Sequence, residues 1–395
     1  MKTLLENLRE VFVGVFDMNF QRVIMYAIGI LLIYLAIKKD YEPMLLLPIG
    51  FGAILVNLPL SAVWEHEGTP GVLQILNNAG IITELFPVLI FIAVGAMIDF
   101  SELLKNPRML LFGAAAQFGI FFTIVAAIAL GAFLDNTFNL GLNIDLKVAS
   151  AIGIIGAADG PTSIFVANRF AKDFIGPISV AAYSYMSLVP IIQPPVIRAL
   201  TTRKERMIRM QYHDKKVSQK VLIAFPIVIT VIAGIVAPIS VPLIGLLMFG
   251  NLIRVSGVLE RLSQTAQNEL ANLVTLLLGI TIGSTMHYEK FLHPVTLMIL
   301  ALGLVAFIFD TAGGVLFAKF INLFTKEKIN PMVGAAGISA FPMSARVIQK
   351  MATKEDPTNF ILMQSISANV AGQIGSVIAG GMVLALVPWL VTLIG

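Results

Sequence analysis

The sequence predicts an all-α polytopic membrane protein built from two inverted repeats, with about ten spanning helices and two broken or re-entrant segments. Composition, an internal duplication and the distribution of basic residues predict it. Of 395 residues, 57% are hydrophobic and 13% charged, and the mean hydropathy is +0.88. A soluble domain of this length would need far more charge on its surface. Apolar runs long enough to span recur along the chain, interrupted by Gly and Pro in the manner of helices rather than by the alternation of barrel strands.

Full spans are expected to start near Arg22, Met44, Ile81, Pro107, Ile175, Val221, Val241, Leu273, Pro294 and Phe360. Two more segments, near 148–168 and 331–349, are apolar but glycine-broken. Residues 1–21 intersperse charges among apolar positions and read as an N-terminal amphipathic segment at the interface, not a cleavable leader. The longest polar stretch, 201–220, is a basic cytoplasmic linker between a first transmembrane repeat, 22–200, and a second, 221–395. There is no cysteine, which excludes disulfides and thiolate chemistry. The histidines His66, His213, His287 and His293 are not at ligand spacing. No glycine loop with its lysine offers a nucleotide site, and no nucleic-acid partner is expected. Uphill transport would draw on an ion gradient or a partner.

The chain resembles itself. GAMIDFSELLKNP (95–107) and GSTMHYEKFLHP (283–294) each precede a long span, which leads to GIIGAADGPTS (153–163) or GAAGISAFPMS (334–344). Gly153, Gly156, Pro161 and Ser163 match Gly334, Gly337, Pro342 and Ser344 at a constant offset of 181. Lys and Arg concentrate on the cytoplasmic side of membranes. With the linker inside and both broken segments re-entrant, 20 of the 27 basic residues lie inside; with both crossing, 17 do. The re-entrant arrangement gives each repeat five crossings, so the repeats are inverted and the broken tips approach from opposite faces, a transporter geometry. It places Arg169 and Lys172 outside, against the rule.

An ionised carboxylate at membrane depth costs at least about 2.5 kcal/mol, so it needs a partner or a cation. Asp159 is the clearest candidate. Gly160 and Pro161 interrupt the helical ladder beside it, and carboxylate, freed carbonyls and the hydroxyls of Thr162 and Ser163 are hard donors for a small cation such as sodium. Asp-Gly-Pro is also a good helix start, so Asp159 can cap the helix beginning at Gly160, a reading that coexists with the first. Asp310 is a second intramembrane acid, open to an ion or proton role or to a structural hydrogen bond; Thr123 is its counterpart at an offset of 187. Tyr185 lies about ten residues into its span, past the usual aromatic belt. Asn330 and Asn369 offer amide oxygens beside small residues, for an ion or for helix packing.

At these residues the chain resembles the β subunit of sodium-translocating, biotin-dependent decarboxylases, the oxaloacetate, methylmalonyl-CoA and glutaconyl-CoA decarboxylase family. The similarity runs over nearly the whole chain and is densest in GAADGPTSIFVA, AAYSYMSLVPIIQPP, DTAGG, NPMVGAAGISAFPMSARV and ANVAGQIGS. It implies a multi-pass subunit of the bacterial inner membrane that decarboxylates carboxybiotin, consumes a proton and drives sodium out. Biotin would be carried by a partner, not bound covalently here. The implied partners are a carboxyltransferase subunit, a biotin carrier domain and a small membrane-anchored γ-type subunit, with homo-oligomerisation within the complex. By matching motif the site would comprise Asp159, Asn330, Ser339 and Asn369 around sodium with Gly334, Tyr185 at a second ion site or the proton path, and Arg346 facing the carboxybiotin anion. Asp310, Thr162 and Ser344 rank below these. Where the family shows a His-Ala-x-Gly run, this chain has Gln364-Ser365-Ile366-Ser367. The alternatives are a secondary sodium/proton antiporter, a sodium-coupled organic-anion transporter, or a non-transporting scaffold. The basic linker reads either as a dock for acidic partners or as a topology signal.

Overall fold

The computed structural model describes residues 18–394 apart from 40, 60, 61, 67, 140, 141, 143 and 212–215. Most of the expected amphipathic segment, with residues 212–215 of the linker, therefore lies outside the described residues. The chain is helical almost throughout, as its hydropathy requires, since a backbone in lipid must satisfy its own polar groups. α1 (Phe20–Lys39) and α2 (Pro43–Asn57) precede a two-residue antiparallel ribbon, β1 (Glu65–His66) with β2 (Thr69–Pro70). Then come α3 (Val72–Leu76), a π turn (Asn77–Ile82), α4 (Leu85–Met97), α5 (Ser101–Lys105), α6 (Leu110–Ala115) and α7 (Phe118–Phe138). The first broken segment is α8 (Leu146–Gly153), a 3₁₀ turn (Ile154–Ala157) and α9 (Gly160–Phe170), followed by α10 (Ile175–Ser187) and α11 (Val189–Leu200).

After the short α12 (Arg203–Arg206) the same order of elements recurs. α13 (Gln219–Val236) and α14 (Val241–Val255) lead to α15 (Glu260–Thr265), a second π turn (Ala266–Leu270) and α16 (Ala271–Ser284). The short α17 (Tyr288–Phe291) and the long α18 (Pro294–Phe324) follow. The second broken segment is α19 (Pro331–Ala335), a non-helical tip and α20 (Met343–Glu355), and α21 (Leu362–Ile394) closes the chain.

Five stretches are long and apolar enough to cross a bilayer: Phe20–Lys39, Pro107–Thr137, Pro238–Val255, Pro294–Phe324 and Leu362–Leu393. Counting two bent pairs as one span each, Val72–Ile82 with Leu85–Met97 (61°) and Lys172–Ser187 with Val189–Leu200 (69°), brings the number to seven. The expected spans near Met44 and Val221 fall on shorter apolar helices, and the one near Leu273 on the 14-residue α16. Local chemistry shortens them. Pro59 follows Leu58, whose extended backbone ends α2, and the π turn at Ala266–Leu270 precedes α16. Outward-facing Ile30, Ile37, Val231, Ile235, Phe320, Phe324 and Trp389 are exposed, the surface that helices present to lipid.

Close helix crossings organise the interior. α2 packs on α16 and α4 on α14, each through facing glycines. A Cβ at Gly52 would lie 3.1 Å from the Gly283 Cα, and one at Gly250 would lie 2.9 Å from the Ala96 nitrogen beside Gly95. Backbones approach this closely only without side chains. The broken segments lie at the centre, where every residue in 149–168 and 330–340 is buried. α18, α7 and α21 pack around them.

Candidate functional site

The first broken segment turns at Ala158, which takes a left-handed conformation (φ 53°), and Asp159, whose extended backbone (φ −123°, ψ 95°) caps α9. Thr162 donates its N–H to Asp159 Oδ1 at 3.3 Å and its hydroxyl to Oδ2 at 2.7 Å. The capping role and an ion-facing carboxylate are thus compatible, one oxygen serving mainly each. Pro161 has no N–H to give to the Ala157 carbonyl. That carbonyl instead accepts the Ser339 N–H at 3.0 Å, so the tips of the two broken segments are joined by a backbone hydrogen bond.

α21 supplies the third wall. Ser376 Oγ lies 2.7 Å from Asp159 Oδ2 and 3.1 Å from Ser339 Oγ, and the Ser339 hydroxyl also bonds the Asp159 carboxylate. One turn back, Gln373 Nε2 donates to the Ser339 carbonyl. One turn further, Asn369 Nδ2 donates to the Ile338 carbonyl at 2.6 Å, while Asn369 Oδ1 is buried without a partner. The cluster is a carboxylate and three hydroxyls around Asp159, which is 5% exposed, with the spare amide oxygen of Asn369 two turns of α21 from Ser376. All are hard oxygen donors, a set suited to an alkali cation and not to soft metals.

The other expected site residues lie elsewhere. Asn330 caps α19 by accepting the Met332 N–H at 3.1 Å and donates to the Arg206 and Ile208 carbonyls of the linker at 2.8 and 2.9 Å. Gly334 lets α19 touch the α18 backbone at Gly314. Ser344 Oγ donates to Gln193 Oε1 at 2.9 Å, and Gln193 Nε2 donates to the Ala335 carbonyl at 2.9 Å, so this pair fixes the base of the second tip. Tyr185 gives its hydroxyl to the Leu300 carbonyl of α18 and lays its ring on Gly303. Arg346 is exposed on the first turn of α20 and forms no salt bridge among the described residues. Asp310, on α18, is fully buried.

Three residues of the cluster escaped the reading of the sequence. Ser376 and Gln373 share one face of α21 with Asn369, and that i, i+4, i+7 spacing was the available signal. Tyr183, 2% exposed, packs its ring on Gly160 beside Asp159, and its hydroxyl has no partner.

The linker is fastened down. Thr202 and Glu205 form a capping box on α12. Glu355 pairs with Arg206 at 2.8 Å and with Arg203 at 3.4 Å, Asp356 with Arg209 at 2.8 Å, and Glu205 with Lys319 at 3.1 Å. Three of the seven Lys and Arg residues in 201–220, Arg203, Arg206 and Arg209, are therefore paired within the chain. Hydrogen bonds from the Thr358 side chain and N–H, and from Arg209, hold Asp356 below the usual carboxylate range. Burial works to raise Glu205, but hydrogen bonds from the Thr202 N–H and Lys319 outweigh it, so Glu205 too is lowered.

Residues 21–387 match the family model described as Na+-transporting oxaloacetate decarboxylase beta subunit. The chain is 46% identical over 393 residues to the methylmalonyl-CoA decarboxylase subunit beta of Propionigenium modestum, covering 94% of this chain and 96% of that one. It is 44% identical over 423 residues to the oxaloacetate decarboxylase beta chain 2 of Salmonella typhi, with coverages of 94% and 96%. It is 50% identical over 364 residues to the glutaconyl-CoA decarboxylase subunit beta of Acidaminococcus fermentans, with 92% of each chain covered. With these matches running almost end to end and the apolar helices described above, the chain is a membrane protein that belongs to the beta-subunit family of the Na+-transporting decarboxylases.

Proposed function

We propose that the chain is the sodium-translocating subunit of a biotin-dependent decarboxylase complex, in which loss of CO2 from carboxybiotin, with uptake of one proton, drives sodium outward. The observation that carries this reading is the oxygen cluster of Asp159, Thr162, Ser339 and Ser376, built where the two broken segments meet. Sodium is the cargo. Asp159 supplies the charge that recruits it, the three hydroxyls replace part of its water shell, and Asn369 Oδ1 is an acceptor two turns of α21 from Ser376. Tyr183, Tyr185, Asn330 and Gly334 position the walls.

Biotin carried by a partner would supply a labile carboxyl group, whose loss as CO2 would leave an electron pair on a ring nitrogen for one proton. Arg346 fits the anionic form of that group. Its guanidinium is accessible and free of any salt bridge among the described residues, and it lies nine residues, about 13 Å along α20, from Glu355 at the linker. A charge held at that depth is suited to meeting an anion.

The recurring order of elements and the reciprocal pairing of α2 with α16 and α4 with α14 support two inverted repeats with re-entrant broken segments. Movement of the tips against the α2–α16 and α4–α14 layer would then give alternating access. A carboxyltransferase, a biotin carrier, a γ-type small subunit and further copies of this chain complete the assembly. The test is sodium-22 uptake into inverted vesicles on addition of each candidate acyl substrate, with and without avidin. Avidin-sensitive uptake is expected; uptake indifferent to avidin points instead to a secondary sodium/proton antiporter or sodium-coupled organic-anion transporter.

A further inference from the structure

Asp310 is an acid that the cluster does not use. It stands near the middle of α18, fully buried, and its two oxygens have different surroundings. Oδ1 accepts the N–H of Ile120 at 3.2 Å and that of Gly119. Both lie at the start of the 21-residue α7, which the turn at Ala116–Gln117 separates from α6; the Ile120 N–H is shared with the Gln117 carbonyl at 3.2 Å, and Oδ1 faces the positive end of a helix. Oδ2 has no partner. It faces Gly156 in the 3₁₀ turn of the first broken segment, and a Cβ at that glycine would lie 2.6 Å from Oδ2 and 2.7 Å from the Ala306 Cβ.

That packing separates a cation from a proton. A cation at Oδ2 would need several oxygen ligands where the Gly156 and Ala306 carbons sit, whereas a proton needs no room. A bare carboxylate oxygen in a dry interior is costly, and a proton on Oδ2 removes that cost, while two N–H groups and a helix N-terminus at Oδ1 offset part of it for the ionised form. No Lys, Arg or His forms a salt bridge with Asp310 among the described residues. Of the elements packed on α18, the 3₁₀ turn, α6 and α19 carry no titratable side chain. α7 carries Asp135, fifteen residues beyond Ile120, α8 carries Lys147, α10 carries Tyr183 and Tyr185, and α11 carries Arg198. The charged group nearest along the contacting chain is Asp159, three residues after Gly156 and so within about 10 Å of it.

We infer that Asp310 is a proton-binding site linked to the sodium site: it holds a proton on Oδ2 while the Asp159 cluster lacks sodium and releases it when sodium arrives. The sign follows from charge, since a cation beside Asp159 favours the ionised form of a neighbouring carboxyl. The inference rests on the reading of Asp159 as the sodium site and not on carboxybiotin, so it is tested without substrate.

The experiment is an infrared difference spectrum, sodium minus sodium-free, on the purified complex. Wild type is expected to lose the C=O stretch of a protonated carboxyl on sodium addition and to release a proton to a pH indicator. Asp310→Asn is expected to lack that band, and Asp310→Glu, which keeps the acid if the Asn variant does not assemble, to shift its frequency. A wild-type spectrum without the band, or a band unchanged in either variant, overturns the inference. Sodium-22 binding to wild type and Asp159→Asn tests the underlying site reading separately: equal binding would remove that reading while leaving the Asp310 band to be judged on its own.

Discussion

The Ser376 hydroxyl stands between the two broken segments, 2.7 Å from the Asp159 carboxylate and 3.1 Å from the Ser339 hydroxyl. It also lies 3.0 Å from the Gln373 carbonyl of its own helix, and a hydroxyl has one proton to give. With no cation present, that proton serves the carboxylate. With sodium bound it can turn to the Gln373 carbonyl and offer its lone pairs to the ion. Ser376→Ala removes the switch and one ligand. On the proposed reading the lost oxygen ligand dominates; taking its contact with the ion as comparable to a hydrogen bond to a charged group, about 1.5–3 kcal/mol, half-saturation by sodium should weaken roughly 10- to 100-fold. Sodium titration of turnover measures it, and an unchanged constant would take Ser376 out of the site.

Asp159 caps α9 and, on the proposed reading, also faces sodium, two roles that substitution can separate. Asparagine is as good a cap as aspartate, and its oxygen can still accept the Thr162 N–H. Asp159→Asn should therefore assemble and unfold at nearly the wild-type temperature while losing sodium-dependent turnover. Asp159→Ala should lose turnover and, in addition, about 1 kcal/mol of stability from the missing cap. Thermal unfolding of the complex beside sodium-22 binding reads both effects. Were the two variants equally stable, the capping assignment would fail.

These residues also show what was legible in the sequence. The helical membrane class follows from hydropathy, and the breaks near 158–161 and 335–342 follow from glycine and proline, whose backbone effects are local. Asp159 was visible because a charge in an apolar run is expensive. Ser376 was not, because a serine in a Gly- and Ala-rich helix reads as packing. Its partner Asp159 lies 217 residues away, a separation that no local pattern encodes. The span count was hard for a related reason: the π turns at Asn77–Ile82 and Ala266–Leu270 interrupt helices without a proline to mark them. Asn330 looked like a ligand by its type, yet Asn-Pro is also a helix start, and its amide is engaged by linker carbonyls that become neighbours only on folding.

The linker latch should open in acid. Asp356 and Glu205 titrate below the usual carboxylate range in the folded chain, so the unfolded form binds more protons as the pH falls. Their contribution is fully present above about pH 4, the unfolded carboxylate value, and is lost as pH falls through the folded values. Amide hydrogen exchange of residues 203–209, corrected for intrinsic rates, should accelerate below about pH 4 before α18 or α21 loses protection. Exchange in this stretch that follows the helices at every pH would mean that the ion pairs do not hold it.

The glycine crossings distinguish scaffold from moving parts. At Gly283 an added Cβ would stand 2.9 Å from both the Gly52 Cα and the Ala53 nitrogen. Because these are backbone atoms on α2, the helix must shift to accept alanine. Overpacking of this kind costs typically about 1–3 kcal/mol, so Gly283→Ala should lower the unfolding temperature. If α2 and α16 form a fixed layer, the sodium half-saturation constant of the assembled variant should stay at the wild-type value. Gly334→Ala meets backbone as well, at Gly314 of α18, but Gly334 lies five residues before Ser339, and α19 carries that tip. Displacing α19 moves the Ser339 N–H away from the Ala157 carbonyl and the Ser339 hydroxyl away from Ser376, so this variant should lose both stability and sodium affinity. Measuring both quantities on both variants settles the division: a sodium constant that moves equally in Gly283→Ala and Gly334→Ala would mean that the layer is not fixed relative to the site.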